Sequence, residues 1–139
     1  MSVVGEEQLV VFKLGDQKYA LPIQETQEII RMTEVTRIPN ASYYLEGIIN
    51  LRGTILPVIN LNRRLGLPEK EVDEETRIVV VENNGQQVGM IVDNVLEVGR
   101  YSESEVEPPS SMGDSADYLK GVVKKGDQLW LLLDLNNVL

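Results

Sequence analysis

The sequence predicts an all-β protein built from two small barrels. Three observations carry that prediction: the chain repeats itself, each repeat holds two strand–turn–strand signals, and turns recur about every 8–12 residues. The repeat appears when residues 8–29 are laid on 77–98 and residues 44–65 on 118–139, offsets of 69 and 74. Tyr44-Leu-Glu-Gly meets Tyr118-Leu-Lys-Gly, and Asn60-Leu-Asn meets Asp134-Leu-Asn. Ten of the 44 aligned pairs are identical, against roughly three by chance, and most others keep their apolar character. The chain is a duplicated unit of about 60 residues. A 60-residue barrel buries only about 60% of its unfolded surface, so the two lobes are expected to pack together.

Each unit opens with a hairpin. Leu9–Leu14 and Tyr19–Ile23 flank Gly15-Asp16; Ile78–Glu82 and Gln87–Val92 flank Asn83-Asn84-Gly85. Apolar, β-branched runs around Asn, Gly and Asp are the strand–turn–strand pattern. A short amphipathic piece follows: Gln24–Arg31, and Asp93–Val98 with Asp93 placed to cap one helical turn. A second hairpin then comes at Gly47–Leu51 and Thr54–Ile59 around Arg52-Gly53. Its counterpart is Leu119–Lys124 and Gln128–Leu133 around Gly126-Asp127. Each unit ends in a short helix with Asn60 or Asp134 as N-cap, the first stopped by Gly66-Leu-Pro68. Glu69–Glu75 is read as the connector, and Tyr101–Asp117 as a long mobile loop.

Composition narrows the chemistry. The 139 residues include no Cys and no His, which removes thiol nucleophiles, thiolate metal sites, disulfides and imidazole bases. The net charge of −9 lies in the second part: residues 1–65 carry seven basic and seven acidic side chains, residues 66–139 six and fifteen. No basic stripe is present, so neither nucleic acid nor an anionic membrane is expected as a partner. Apolar runs are too short to span a bilayer, and the amino terminus lacks a signal-peptide pattern; the expected location is the cytoplasm. The acidic stretches 69–75 and 102–107 lack the spacing of a calcium loop, and no glycine-rich phosphate loop occurs. No metal or cofactor is expected.

A few residues stand out as candidates. The Arg52-Gly53 turn is read with negative φ at Arg52 and positive φ at Gly53, projecting the arginine from the apex. The twin position is Gly126, so this arginine is a departure from the repeat; a solvated hairpin-tip charge is the plain alternative. Thr26–Arg31 is read with Ile29 and Ile30 towards apolar neighbours and Glu28 towards solvent, with core packing favoured over a partner groove. Pro57 inside a strand run points to an edge or a bulge. A carboxylate-dependent enzyme using the repeat-equivalent Glu28 and Glu97 is the distant alternative.

Gly47-Ile-Ile-Asn-Leu-Arg-Gly-Thr-Ile-Leu-Pro-Val-Ile-Asn-Leu61 resembles the signature of the CheW family of bacterial chemotaxis coupling proteins. Leu9-Val-Val-Phe-Lys-Leu-Gly15 before Tyr19, Val88-Gly89 with Asp93 and Val95, and Tyr118-Leu-Lys-Gly-Val support it, and the similarity runs over residues 8–139. The resemblance implies two SH3-like five-stranded β-barrels packed against each other. The first lobe would span about 11–77 and the second about 78–139, the latter completed by N-terminal strand residues 6–10. It further implies a non-catalytic adaptor that bridges the cytoplasmic tip of chemoreceptors to the CheA histidine kinase, in membrane-associated arrays. Under it, a receptor-binding groove would involve Glu28, Ile29, Gly47, Arg52, Val95 and Val98, and the kinase or ring interface Glu107 and Met112. A CheW-like module cut from a larger kinase or from a receiver-containing coupling protein is the alternative of the same fold.

Overall fold

The structure is a computed structural model and describes residues 7–109 and 117–139. The first unit contributes β1 (Glu7–Leu14), β2 (Gln17–Pro22), β3 (Thr26–Arg31), β4 (Leu45–Leu51), β5 (Thr54–Asn60) and the helix α1 (Leu61–Arg64). The second contributes β6 (Arg77–Asn83), β7 (Gln86–Val92), β8 (Asn94–Tyr101), the short β9 (Val106–Glu107), β10 (Leu119–Lys125), β11 (Gln128–Leu133) and α2 (Leu135–Val138). Both expected caps are formed: the Asn60 side chain accepts from the Arg63 N–H, and that of Asp134 from the Asn136 N–H.

The strands form two sheets, of order β8-β1-β2-β11-β10-β9 and β3-β6-β7-β5-β4. Each opening hairpin therefore pairs with the closing hairpin of the other unit: β2 runs parallel to β11, and β7 parallel to β5. Sheet membership cuts across the expected lobes at 11–77 and 78–139. Where a strand at residues 6–10 is expected, the whole hairpin of residues 7–22 joins the strands of the second unit, and β6-β7 joins those of the first.

The apolar pattern explains the exchange. In β1, Leu9 and Val11 enter one barrel core with Ala20, Val123, Trp130 and Leu132, while Phe12 and Leu14 face the other way. In β6, Ile78 and Val80 fill the second barrel beside Leu56, Val58 and Ile91, while Val79 and Val81 face the other way. The outward sets meet between the sheets with Met90, Leu131 and Leu133 in the largest buried cluster. Strands buried on both faces read as continuous apolar runs, as Ile78–Val81 does.

Three local expectations are corrected. Gln24–Arg31 and Asp93–Val98 are not helical: apart from a 3₁₀ turn at Ile23–Glu25, they are the strands β3 and β8. Each has an apolar edge to pair with, β6 and β1 respectively, which outweighs the weak helical signal of so short a segment. The segment read as a loop from Tyr101 is ordered at its start, by a capping box between Ser102 and Glu105 and by pairing of Val106-Glu107 with β10.

Two outcomes follow from this topology. Fragments 1–76 and 77–139 each hold hairpins but no complete sheet, and an isolated hairpin is marginal in water. Alone, each should show little native circular dichroism, and mixing them should restore it; cooperative unfolding of either one alone would contradict the exchanged arrangement. Tyr101 is buried and donates to Glu7, a contact that ties the start of β1 to the end of β8. Burial first, and then the Glu7 carboxylate, push its hydroxyl up to about 12. Tyr101 should thus ionise after an ordinary tyrosine in an alkaline absorbance titration. Its contribution to stability is present below pH 10 and lost as the pH rises towards 12.

Candidate functional site

The terminal strands of the two sheets, with the β4–β5 hairpin tip, carry most of the candidate residues. In β3 the alternation sends Glu28 and Ile30 to one side and Gln27, Ile29 and Arg31 to the other. Ile30 packs on the barrel core, whereas Ile29 is 40% exposed. This corrects the expectation that Ile29 packs inward while Glu28 faces solvent: a period of two cannot turn adjacent residues the same way. Glu28 instead receives the guanidinium of Arg52.

Arg52 sits at the β4–β5 turn, with φ of 51° there and 88° at Gly53. Both central residues are left-handed, not Gly53 alone, because a two-residue hairpin needs a primed turn to match the twist of its strands. Asn50 holds the turn by accepting from the Gly53 N–H at 2.8 Å. The hydrogen bond to Glu28, and then its charge, raise the Arg52 guanidinium above its ordinary value. The arginine side chain remains 70% exposed, so it braces the tip of β4–β5 against β3 while keeping most of its surface open.

Gly47 has a packing role. A Cβ there would lie 2.2 Å from the Thr36 carbonyl oxygen, where Thr36 and Ile48 exchange backbone hydrogen bonds. The twin glycine, Gly121, lies under Val106 and Glu107 in the same way, with a Cβ 2.9 Å from the Glu107 oxygen. In both units the crossing segment approaches so closely that only glycine fits.

On β8, Val95 packs against the core between the sheets, while Leu96, Glu97 and Val98 are exposed in succession. A bulge causes this: Phe12 faces Val95 and Val11 faces Glu97, so Leu96 has no opposite residue on β1. Leu96 had no sequence signal, because the bulge that exposes it is invisible in the apolar pattern. Ile55 and Leu129, at 59% and 49% exposed, are also outward, and they are repeat-equivalent. That shared offset was the signal available for finding them. Glu107 lies on β9 and pairs with Lys124 at 3.0 Å, both half exposed; Met112 lies outside the described residues. Glu97 and Glu28 sit on strands of different sheets, and Glu28 is engaged with Arg52. Among the described residues no cluster of carboxylates suited to a metal ion occurs, and no helix is long and apolar enough to cross a membrane.

Two barrels sharing one core, with apolar and charged residues on their terminal strands, match a known group of proteins. The CheW-like domain family model matches residues 8–139. The chain belongs to the CheW-like domain family. Chemotaxis protein CheW of Bacillus subtilis is 36% identical over 135 residues, 96% of this chain and 86% of that protein. That of Helicobacter pylori is 32% identical, covering 95% and 81%. The crystal structure of the scaffolding protein TtCheW from Thermoanaerobacter tengcongensis superimposes with a TM-score of 0.87 at 36% identity, covering 92% of this chain and 88% of that one. The fold is thus that of CheW: two SH3-like barrels, one of five strands and one of five plus the two-residue β9.

For a CheW-like chain the role of Gly47 is open to direct measurement. Gly47→Ala should cost about 2 kcal/mol or more in urea unfolding, because backbone, not a flexible side chain, must move. Gly121→Ala should cost less, its nearest backbone approach being longer. An unchanged midpoint in Gly47→Ala would remove the packing explanation.

Proposed function

We propose that this chain is a non-catalytic scaffold that couples chemoreceptors to the chemotaxis histidine kinase CheA, acting in the cytoplasm at receptor arrays. The observation that carries this reading is the family match over residues 8–139, nearly the whole chain, with relatives that are themselves chemotaxis proteins.

The surface supports it physically. The tip of a receptor is an amphipathic helical element, and such an element docks on apolar side chains framed by a few orienting charges. Ile29 and Val98 supply exposed apolar area, and the Glu28–Arg52 pair supplies the charges. Val95 packs against the core on the other side of β8, and Gly47 fixes the strand that leads to Arg52. Glu107, on the opposite terminal strand of the six-stranded sheet, is the described residue of the proposed kinase contact. Individually weak contacts suffice here, because an array multiplies them by avidity.

Binding of a receptor-tip fragment tests the reading. Arg52→Ala should leave the thermal midpoint nearly unchanged, since the side chain is mostly exposed, and should weaken binding about tenfold as an interfacial arginine does. Wild-type affinity in that variant would rule out recognition by Arg52. The exchanged variant Glu28→Arg/Arg52→Glu keeps the ion pair but reverses both charges. If it binds normally, the pair only braces the hairpin.

A further inference from the structure

Asn60, Asn62, Thr76 and Asp93 are the buried polar residues among the described part of the chain, and all four line one cavity of about 240 Å³. Asp93 is the hub. Its Oδ2 accepts from the Gly15 N–H at 2.7 Å and its Oδ1 from the Asn62 Nδ2 at 2.9 Å, while its own N–H donates to the Lys13 carbonyl at 3.1 Å. One residue between β7 and β8 is therefore tied to the β1–β2 turn and to α1. Asn62 spends its amide nitrogen on Asp93, and its Oδ1, beside the cavity, has no partner among the described residues.

The duplication shows that the fold does not require this link. The twin of Asp93 is Gln24 and that of Asn62 is Asn136, at the offsets of 69 and 74, and both are exposed. The two units nonetheless build matching strands. A buried polar link that leaves one acceptor unsatisfied is a poorer stabiliser than apolar packing, so its value lies in the geometry it enforces. That geometry is the start of β8, two residues before Val95 and immediately ahead of the bulge. A one-residue slip there would exchange the inward and outward sets of the strand.

We propose that Asp93 is a positioning residue: anchored on Gly15 and Asn62, it sets the register of β8 so that Leu96 and Val98 face a docking partner. The role of these two side chains rests on the receptor-coupling reading; the control of register does not.

The test combines Asp93→Ala, Asn62→Asp and the exchanged pair Asn62→Asp/Asp93→Asn in the full chain. Asn62→Asp sets two carboxylates face to face, and the exchanged pair restores one donor and one acceptor. Either folded single variant should shift the amide resonances of Leu96–Val98 and weaken binding of a receptor-tip fragment about tenfold, the scale of one lost buried hydrogen bond to a charged group. The exchanged pair should return both to within about twofold of wild type. Unchanged β8 resonances in a folded Asp93→Ala variant would overturn the proposal, as would an exchanged pair that does not recover them. If both single variants fail to fold, a folded exchanged pair with wild-type resonances supports it and an unfolded one overturns it. Should the wild-type chain itself not bind the fragment, the receptor reading fails, while the resonances still decide the register.

Discussion

Burial of both faces of the hairpins β1-β2 and β6-β7 is the constraint on which the rest of the molecule depends. A 60-residue unit cannot cover two apolar faces with its own strands, so each hairpin leaves its unit and fills the barrel of the other. One face then closes a barrel, and the other meets its counterpart in the shared cluster around Phe12, Met90 and Leu133. The magnitudes favour this core over any polar contact. A buried Phe or Leu is worth about 2–5 kcal/mol against truncation, whereas a surface pair such as Lys124–Glu107 is worth about 0–1 kcal/mol. Removing one shared residue therefore threatens both barrels, because neither is complete without the other.

The exchange also determines what is left open. Hairpins in the middle of a sheet have no free edge, so among the described residues the free edges fall to the terminal strands β3, β4, β8 and β9. Two of these serve closure: Thr36 bridges β4 through the gap that Gly47 leaves, and β9 pairs with β10 over Gly121. Ile48 and Val122, which receive these crossings, are repeat-equivalent, so the isolated bridge of the first unit is the degenerate form of β9. The strands β3 and β8 are left as the equivalent pair at the other ends of the two sheets. They carry the exposed Ile29, Leu96 and Val98, so the exposed apolar side chains and the core pattern have one cause.

The sequence made much of this legible, because the signals were local. The hairpins, the Asn60 and Asp134 caps and the glycine turns all depend on a few adjacent residues. Partner choice is not legible in the residues themselves: nothing in Leu9–Leu14 says whether its hairpin pairs with residues 54–60 or with 128–133, both apolar and repeat-equivalent, and only the family resemblance points residues 6–10 to the second barrel. In β3, Ile29-Ile30, two apolar residues side by side, fit a helix face better than a half-buried strand, and only the neighbouring β6 edge makes the segment a strand. A candidate such as Arg52 is legible where chemistry breaks the repeat, whereas the exposure of Leu96 is not, because it comes from a bulge. In the sequence Asp93 has the local signature of a cap, and its place as a buried hub is hidden because its partners Gly15 and Asn62 lie 78 and 31 residues away.

A duplicated protein offers its own control. Residues needed for the fold should recur at both offsets, as Gly47 and Gly121 do, or Asn60 and Asp134. Residues that serve a partner need appear only once, because the partner meets the two lobes at different places. Arg52 against Gly126 and Asp93 against Gln24 appear only once. Both act on the same pair of terminal strands, Arg52 by bracing the β4–β5 tip to Glu28 on β3, Asp93 by fixing the start of β8. Both also carry a cost that the fold alone would not select: a non-glycine residue at φ 51°, and a buried carboxylate with an unsatisfied neighbour. Departures from symmetry that cost the fold something mark positions shaped by more than stability.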